Sequence, residues 1–353
     1  MTMNLRLAWR NLWRHSRRTW LTASAMIFSN VLLVFMISLQ FGSYQMMINN
    51  TLQAFSGHMQ IQAEGYQDSP RMRKSVPGII ELTEQVRRAL PDTSVAARAS
   101  GFALASSEQR SFGIQVYGVQ PAFEPLVSSI PGLTKAGRFL EDSDAAEIVL
   151  GSIMARNLKV SVGDEVTLLG SGRDGSFAAG VVTVAGIFES GITDMDRSFA
   201  EVPLSYFQET FYMEGHGHAI AVSLDNIGRL PAAMQRVRPL IAGHDGLAVL
   251  DWEALNPGLR QAIQADMSSA WFMYGVLIVL VAFSVLNTQL MSVMERTREF
   301  GVISALGVKP GRLASLVMLE TALMALIGFL AGIFLGWLVT LYFSHVGFAY
   351  PGM

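Results

Sequence analysis

Two imidazoles one residue apart, in His216-Gly217-His218, could face one side of a strand and hold a metal ion. No third ligand is apparent beside them, and the competing expectation is a polar loop. Asp194 and Asp196 flank Met195 in what reads as a surface loop, while His58 and His244 have no evident partner. The chain has no cysteine, which removes disulfides, thiolate nucleophiles and cysteine-ligated metals. No glycine is followed by lysine, so a G-x-x-x-x-G-K-[ST] phosphate loop is absent; neither G-x-S-x-G nor H-E-x-x-H occurs. The expectation is a chain with no catalytic residue, no metal site and no cofactor of its own. A more specific pattern lies in Glu295, Arg296, Arg298, Glu299, Phe300, Gly301, Ile303, Leu306 and Gly307. Phe300, Ile303 and Leu306 project to one side of a short helix, Gly307 supplies a stop, and Pro310 opens the next helix. A charged, aromatic-tipped helix of this kind can dock into a soluble partner. The alternative is a solvated loop.

The elements that must position this segment are apolar. Of 353 residues 51% are hydrophobic and only 15% charged, too few charges to cover a soluble surface, and the net charge of −2 lacks the basic excess of a nucleic-acid binder. A helix crossing about 30 Å of hydrocarbon needs about 20 mostly apolar residues. Thr19 to Phe41, Ser268 to Met294 and Thr321 to Phe343 meet that requirement without a single charge. Arg6, Arg10, Arg14, Arg17 and Arg18 precede the first run, and Arg296, Arg298, Lys309 and Arg312 separate the second and third. Positive residues stay cytoplasmic, so the N-terminus and the later loop are inside and the long middle segment is outside. The twin arginines before the first run mimic an export signal, but the run is too long and lacks a small-x-small cleavage site.

The expected boundaries are an amphipathic cytoplasmic elbow helix over 1–18 and a first span over 19–42, with a stalk to about 55. An α/β domain fills 56–256, and a second span occupies 268–294 with a stalk from about 257. A loop over 295–312, a third span over 316–343 and an outer end over 344–353 complete the chain. In the elbow, Leu5, Ala8, Trp9, Leu12 and Trp13 share one face and Arg6, Arg10 and Arg14 another, which suits a headgroup-level anchor or a sliding helix. In the outer segment, 57–63, 111–119, 146–150, 164–169, 180–188, 219–224 and 247–250 read as strands. Helices are predicted over 77–90, opened by Pro77, and over 203–213 and 229–241. Gly328, Gly332 and Gly336 make two overlapping small-xxx-small repeats for close helix packing. Asn30, inside the first span, needs an interhelical hydrogen bond or a substrate contact. Phe35, Met36, Phe41, Met46, Met47 and Met267 could line a cavity for acyl chains, although helix packing explains them as well.

The run from Arg298 to Val308, with Glu320 in the following span, resembles the R-E-x-G-x-x-x-A-x-G signature of the MacB/FtsX/LolCE superfamily of ABC transporter permeases. Gly137-Arg138-Phe139, Glu147 to Gly151 and Val162 to Val166 are similar to the superfamily's periplasmic pattern. The resemblance implies an α-helical membrane protein with an inserted α/β extracytoplasmic domain, in the type VII (MacB-like) ABC permease architecture. It places the chain in the bacterial inner (cytoplasmic) membrane, multi-pass, with its large domain in the periplasm. Its implied partners are a separate ABC ATPase dimer that binds ATP and Mg, a second permease chain (identical or not), membrane lipids, and a periplasmic lipoprotein or adaptor. No nucleic acid is expected. The implied function is mechanotransmission, in which ATP hydrolysis moves the 295–307 helix and the outer domain extracts or exports a lipoprotein, lipid or amphiphile. The alternative is an FtsX-like signalling permease that activates a periplasmic hydrolase without transport. Such permeases usually have four spans, and here the expected fourth is missing before Met353. With no fused ATPase ahead of the first helix, the split arrangement is expected.

Overall fold

The computed structural model describes residues 2–14, 16–142, 144–244 and 246–346. The chain divides into two units, Met1–Met46 with Gln261–Met353, and Met47–Arg260.

The first unit is helical. A short helix, Thr2–Arg14, precedes a first long helix, Ser16–Thr51; a second runs Pro257–Glu295 and a third Pro310–Val346. All three long helices are apolar and long enough to cross a bilayer. Trp271, Phe272, Leu280, Phe283 and Leu290 stand exposed along the second. So large an apolar surface is stable in hydrocarbon and not in water. The short helix buries Ala8 and Leu12 and packs on the third long helix, while Trp9, Trp13 and Trp20 form an edge-to-face series.

The second unit is built on one large sheet. In chain order its strands are β1 (Met59–Ala63), β2 (Ser94–Ser106), β3 (Ser111–Val119), β4 (Thr134–Gly137), β5 (Glu147–Gly151), β6 (Glu165–Ser171), β7 (Phe177–Phe188), β8 (Phe199–Pro203), β9 (Ala219–Ser223) and β10 (Leu247–Asp251). Their spatial order is β10-β1-β9-β2-β3-β8-β5-β7-β4, with β6 bridging β2 and β7. Most pairs are antiparallel; β3 with β8 and β5 with β7 are parallel. Alternation drives one face inward: Met59, Ile61, Ile220, Val222, Val95, Ala97 and Val116 join the main core. Helices Ile79–Ala89 and Leu230–Ile241 add Ile79, Leu82, Val86, Leu230 and Val237 to that core.

Several expectations are corrected. Pro77 does not open a helix; it pairs with His216 in a two-residue ladder, and the helix begins at Ile79. Asp196 is not at the surface: it is buried in helix Thr193–Ser198 and accepts from the backbone N–H and hydroxyl of Ser190 at 2.8 and 2.7 Å. His216-Gly217-His218 is no free loop. His216 lies on the short strand with Nδ1 3.0 Å from Ser75 Oγ, and His218 is buried with Nδ1 accepting from Ser100 N–H at 2.9 Å. His58 also has a partner, its Nδ1 accepting from Leu224 N–H at 3.1 Å. β2, the longest strand, was not anticipated, nor were β4 and β8.

Candidate functional site

The second long helix ends at Glu295, and the loop helix Thr297–Ala305 follows after Arg296 alone. Thr297 Oγ1 donates to the Met294 carbonyl at 2.8 Å, closing the reversal. At the other end Gly307 takes φ 90°, a left-handed conformation that glycine adopts without strain, and its N–H reaches the Ser304 carbonyl at 3.0 Å. Pro310 then begins the third long helix, where its missing N–H costs no hydrogen bond.

Arg296 organises the segment. Its Nη1 donates to Glu320 Oε2 at 3.0 Å, its Nε lies 3.4 Å from Glu299 Oε2, and its guanidinium stands 5.1 Å from the Phe300 ring centroid. Glu320 belongs to the third long helix, so the ion pair ties the loop helix to a different element of the same unit. Phe300 and Ile303 are half-buried, whereas Leu306 is exposed and so is Val302. The outward apolar pair is therefore Val302 with Leu306, four residues apart on one helix face. Sequence reasoning named Leu306 and omitted Val302; the i, i+4 spacing was the available signal. Glu295, Arg298, Glu299 and Gly301 are exposed. Basic, acidic and apolar groups thus share a short surface held rigidly at both ends, an arrangement able to receive a soluble partner.

The glycine stripe faces the first long helix. A Cβ at Gly328 would lie 2.9 Å from Met26 Cβ, one at Gly336 2.9 Å from Val34 Cβ, and one at Gly332 would collide with Asn30 Cβ. Asn30 thus sits against Gly332. The proposed acyl-cavity residues are not gathered into one group: Phe35 packs on Phe343 at 5.3 Å between ring centroids, Phe41 stands edge-on to Tyr44, and Met36, Phe41 and Met46 are exposed. Near them lies a polar clasp that no sequence pattern announces. Tyr44 donates to Asp266 Oδ2 at 2.5 Å, Gln40 Nε2 to the same oxygen at 3.2 Å, and Tyr274 to Gln40 Oε1 at 2.5 Å, pinning the first and second long helices together.

Three membrane-length helices, a mostly antiparallel α/β domain inserted in the chain between the first two, and a charged loop helix between the last two define a membrane permease subunit. Comparison with known proteins agrees. The MacB-like periplasmic core domain matches residues 19–240 and the FtsX-like permease C-terminal domain matches residues 271–352. The chain belongs to the MacB/FtsX/LolC family of ABC transporter permeases. The lipoprotein-releasing system transmembrane protein LolC of Neisseria meningitidis serogroup B is 26% identical over 237 residues, covering 64% of this chain and 56% of that one. The macrolide export ATP-binding/permease protein MacB of Neisseria gonorrhoeae is 23% identical over 225 residues, 62% of this chain and 34% of that one. The chain spans little more than half the length of the LolC relatives it matches. Among solved structures, the periplasmic region of MacB from Actinobacillus actinomycetemcomitans aligns with a TM-score of 0.43 at 16% identity, covering 60% of this chain and 94% of that one. The extracellular domain of the noncanonic ABC-type transporter YknZ from Gram-positive bacteria gives 0.42 at 16% identity, with 55% and 100% covered.

Proposed function

We propose that this chain is the permease subunit of an ABC transporter and receives force from a separate ATPase dimer, which binds ATP and Mg. The chain sits in the bacterial inner membrane as one of two permease chains, in the type VII arrangement, with residues 56–256 in the periplasm. Nucleotide-driven closure of the ATPase pushes on the loop helix at Val302, Leu306, Phe300 and Glu299. The Arg296–Glu320 pair passes that push to the third long helix rather than letting the loop flex alone. The outer domain uses the resulting movement to extract or export a lipoprotein, lipid or amphiphile. The observation that carries this reading is a loop helix fixed internally by a charge pair while it presents an apolar pair outward.

The test uses the chain co-purified with its ATPase in lipid nanodiscs. Replacing Phe300 and Glu299 by alanine is expected to abolish coupled ATP hydrolysis while membrane insertion persists; unchanged coupling refutes the docking role. Orientation is checked on Val302→Cys, the sole thiol in a chain without cysteine. A membrane-impermeant maleimide should label it only after cells are opened, and labelling of intact cells overturns the reading. If coupling is lost as expected but no lipidated cargo binds or moves, and a periplasmic hydrolase is recovered instead, the signalling alternative replaces transport.

A further inference from the structure

A second polar site lies on the sheet of the outer domain, on the face turned away from the main core. In β1, Met59 and Ile61 enter the core, which leaves Gln60 and Gln62 on the opposite face, yet they are only 7% and 3% exposed. Register extends that face across four strands. Gln62 pairs with Ala219 of β9, Ala219 with Arg98 of β2, Ser100 of β2 with Tyr117 of β3, and Phe102 with Gln115. Directly opposite residues share a face, so small Ala219 leaves a hollow between larger polar neighbours. A cavity of about 360 Å³ occupies it, lined among others by Gln62, Gln115 and Tyr117. Its volume lies near the lower end of the roughly 300–1,000 Å³ typical of small-molecule sites.

The polar groups lining it are incompletely used. Gln62 Nε2 donates to Gln60 Oε1 at 2.6 Å, and Gln60 Nε2 to the Ser56 carbonyl at 2.6 Å. Gln62 Oε1 is buried, and no group among the described residues donates to it. The half-buried Gln115 amide and Tyr117 hydroxyl have no hydrogen-bond partner among the described residues. An unmade buried hydrogen bond costs about 1–3 kcal/mol, so glutamine at such a position opposes stability unless something supplies the donor.

Arg98, the charged side chain in the lining, is by contrast spent. Arg98 holds Glu124 through Nη2 at 2.5 Å and Nε at 3.1 Å. His218 accepts from Ser100 N–H, and its Nε2 faces the Met72 carbonyl at 3.3 Å, which leaves the ring neutral. An anionic ligand would find no free cation among the lining residues to offset its desolvation, and the one unpartnered carboxyl near Tyr117, Glu201, does not line the cavity and is held toward its neutral form by burial. A hydrocarbon would leave the Gln62 oxygen unmade. An added peptide strand needs a free sheet edge, and these four strands are interior members of the sheet or flanked by another strand. What fits is a compact uncharged ligand with closely spaced hydroxyl or N–H groups. A carboxamide offers a donor and an acceptor in one plane, able to bridge neighbouring hydroxyls, and tyrosine adds a hydroxyl beside an apolar ring.

We propose that this cavity binds a neutral sugar ring, with Gln62, Gln115 and Tyr117 as its hydrogen-bonding residues. The site sits where the chain enters and leaves the domain: Gln60 ties it to Ser56, and Gln67 Nε2 donates to the Leu255 carbonyl at 3.0 Å. The proposal is independent of the permease reading and is measured without an ATPase. Full-length chain in nanodiscs is examined by saturation-transfer difference NMR with N-acetylglucosamine, methyl glucoside and the neutral peptide acetyl-Ser-Gly-Ser-amide, each at millimolar concentration. Transfer to at least one sugar and not to the peptide is expected, falling at least fivefold in Gln115→Leu and in Tyr117→Phe. Gln115 is half-exposed, so Gln115→Leu should unfold at the wild-type temperature. Absence of transfer to both sugars overturns the proposal, as do undiminished signals in both folded variants or transfer to the peptide instead.

Discussion

Replacing Glu320 by glutamine tests whether the loop helix is held from within its own chain. The Arg296 and Glu320 side chains are 12% and 10% exposed, with Nη1 and Oε2 3.0 Å apart. A solvent-exposed pair is worth at most about 1 kcal/mol, and removing one partner of a fully buried pair costs about 3–5 kcal/mol. At a tenth exposed the expected loss lies between these limits, about 2 kcal/mol. That corresponds to a factor of about 30 in the equilibrium between docked and released loop helix. Amide exchange of Thr297–Ala305, followed by mass spectrometry on the full chain in nanodiscs, should therefore accelerate about 30-fold. Exchange in the β-sheet should not change. Arg296→Gln should produce a similar acceleration, and the double variant should add little, because a broken pair cannot be broken again. Full additivity of the two substitutions, or exchange within about twofold of wild type in either, would show that the pair does not hold the helix.

Two further perturbations probe each unit separately. Gly332→Leu forces a side chain onto Asn30 and should lower the unfolding temperature of the purified chain, by overpacking worth about 1–3 kcal/mol; wild-type stability would count against close packing there. In the outer domain Glu201 is fully buried, and neither carboxylate oxygen has a hydrogen-bond partner among the described residues. Burial, and secondarily the Glu124 charge, push its carboxyl well above the usual range against the pull of Arg98, with Tyr117 beside the group. A raised folded-state value favours the folded form at low pH, and that advantage is lost as pH rises through it. His218 runs the other way: burial lowers it to about 4, so the domain loses stability as pH falls from the ordinary imidazole range toward that value. Thermal unfolding measured against pH should show Glu201→Gln raising the midpoint above neutrality and flattening the decline there. A lower midpoint for Glu201→Gln would mean that the charged form is the one folding favours.

The membrane helices were legible because lipid imposes length and apolarity on every residue of a span, so a local property suffices. Most outer strands were legible for a similar reason, their β-branched residues standing out between turns. β2 escaped that reading. Its alanines carry little strand preference, and Arg98 at its centre looks like evidence against a buried strand until Glu124, far along the chain, arrives to pair with it. Arg296 was recognisable as part of a charged loop, but its tie to Glu320 exists only once the third long helix folds back beside it.

Gln60 and Gln62 make the same point more sharply. Polar residues alternating with Met59 and Ile61 are what a half-solvated strand displays, and nothing local separates that from a lined cavity. The difference lies outside the strand: Phe55, Tyr66 and Leu255 line the same cavity as the buried glutamines. Alternation reports which face a side chain takes; only tertiary contacts decide whether that face is wet. A buried amide left unsatisfied on a face that alternation assigns to solvent is therefore a stronger pointer to a ligand than either its residue type or its strand position.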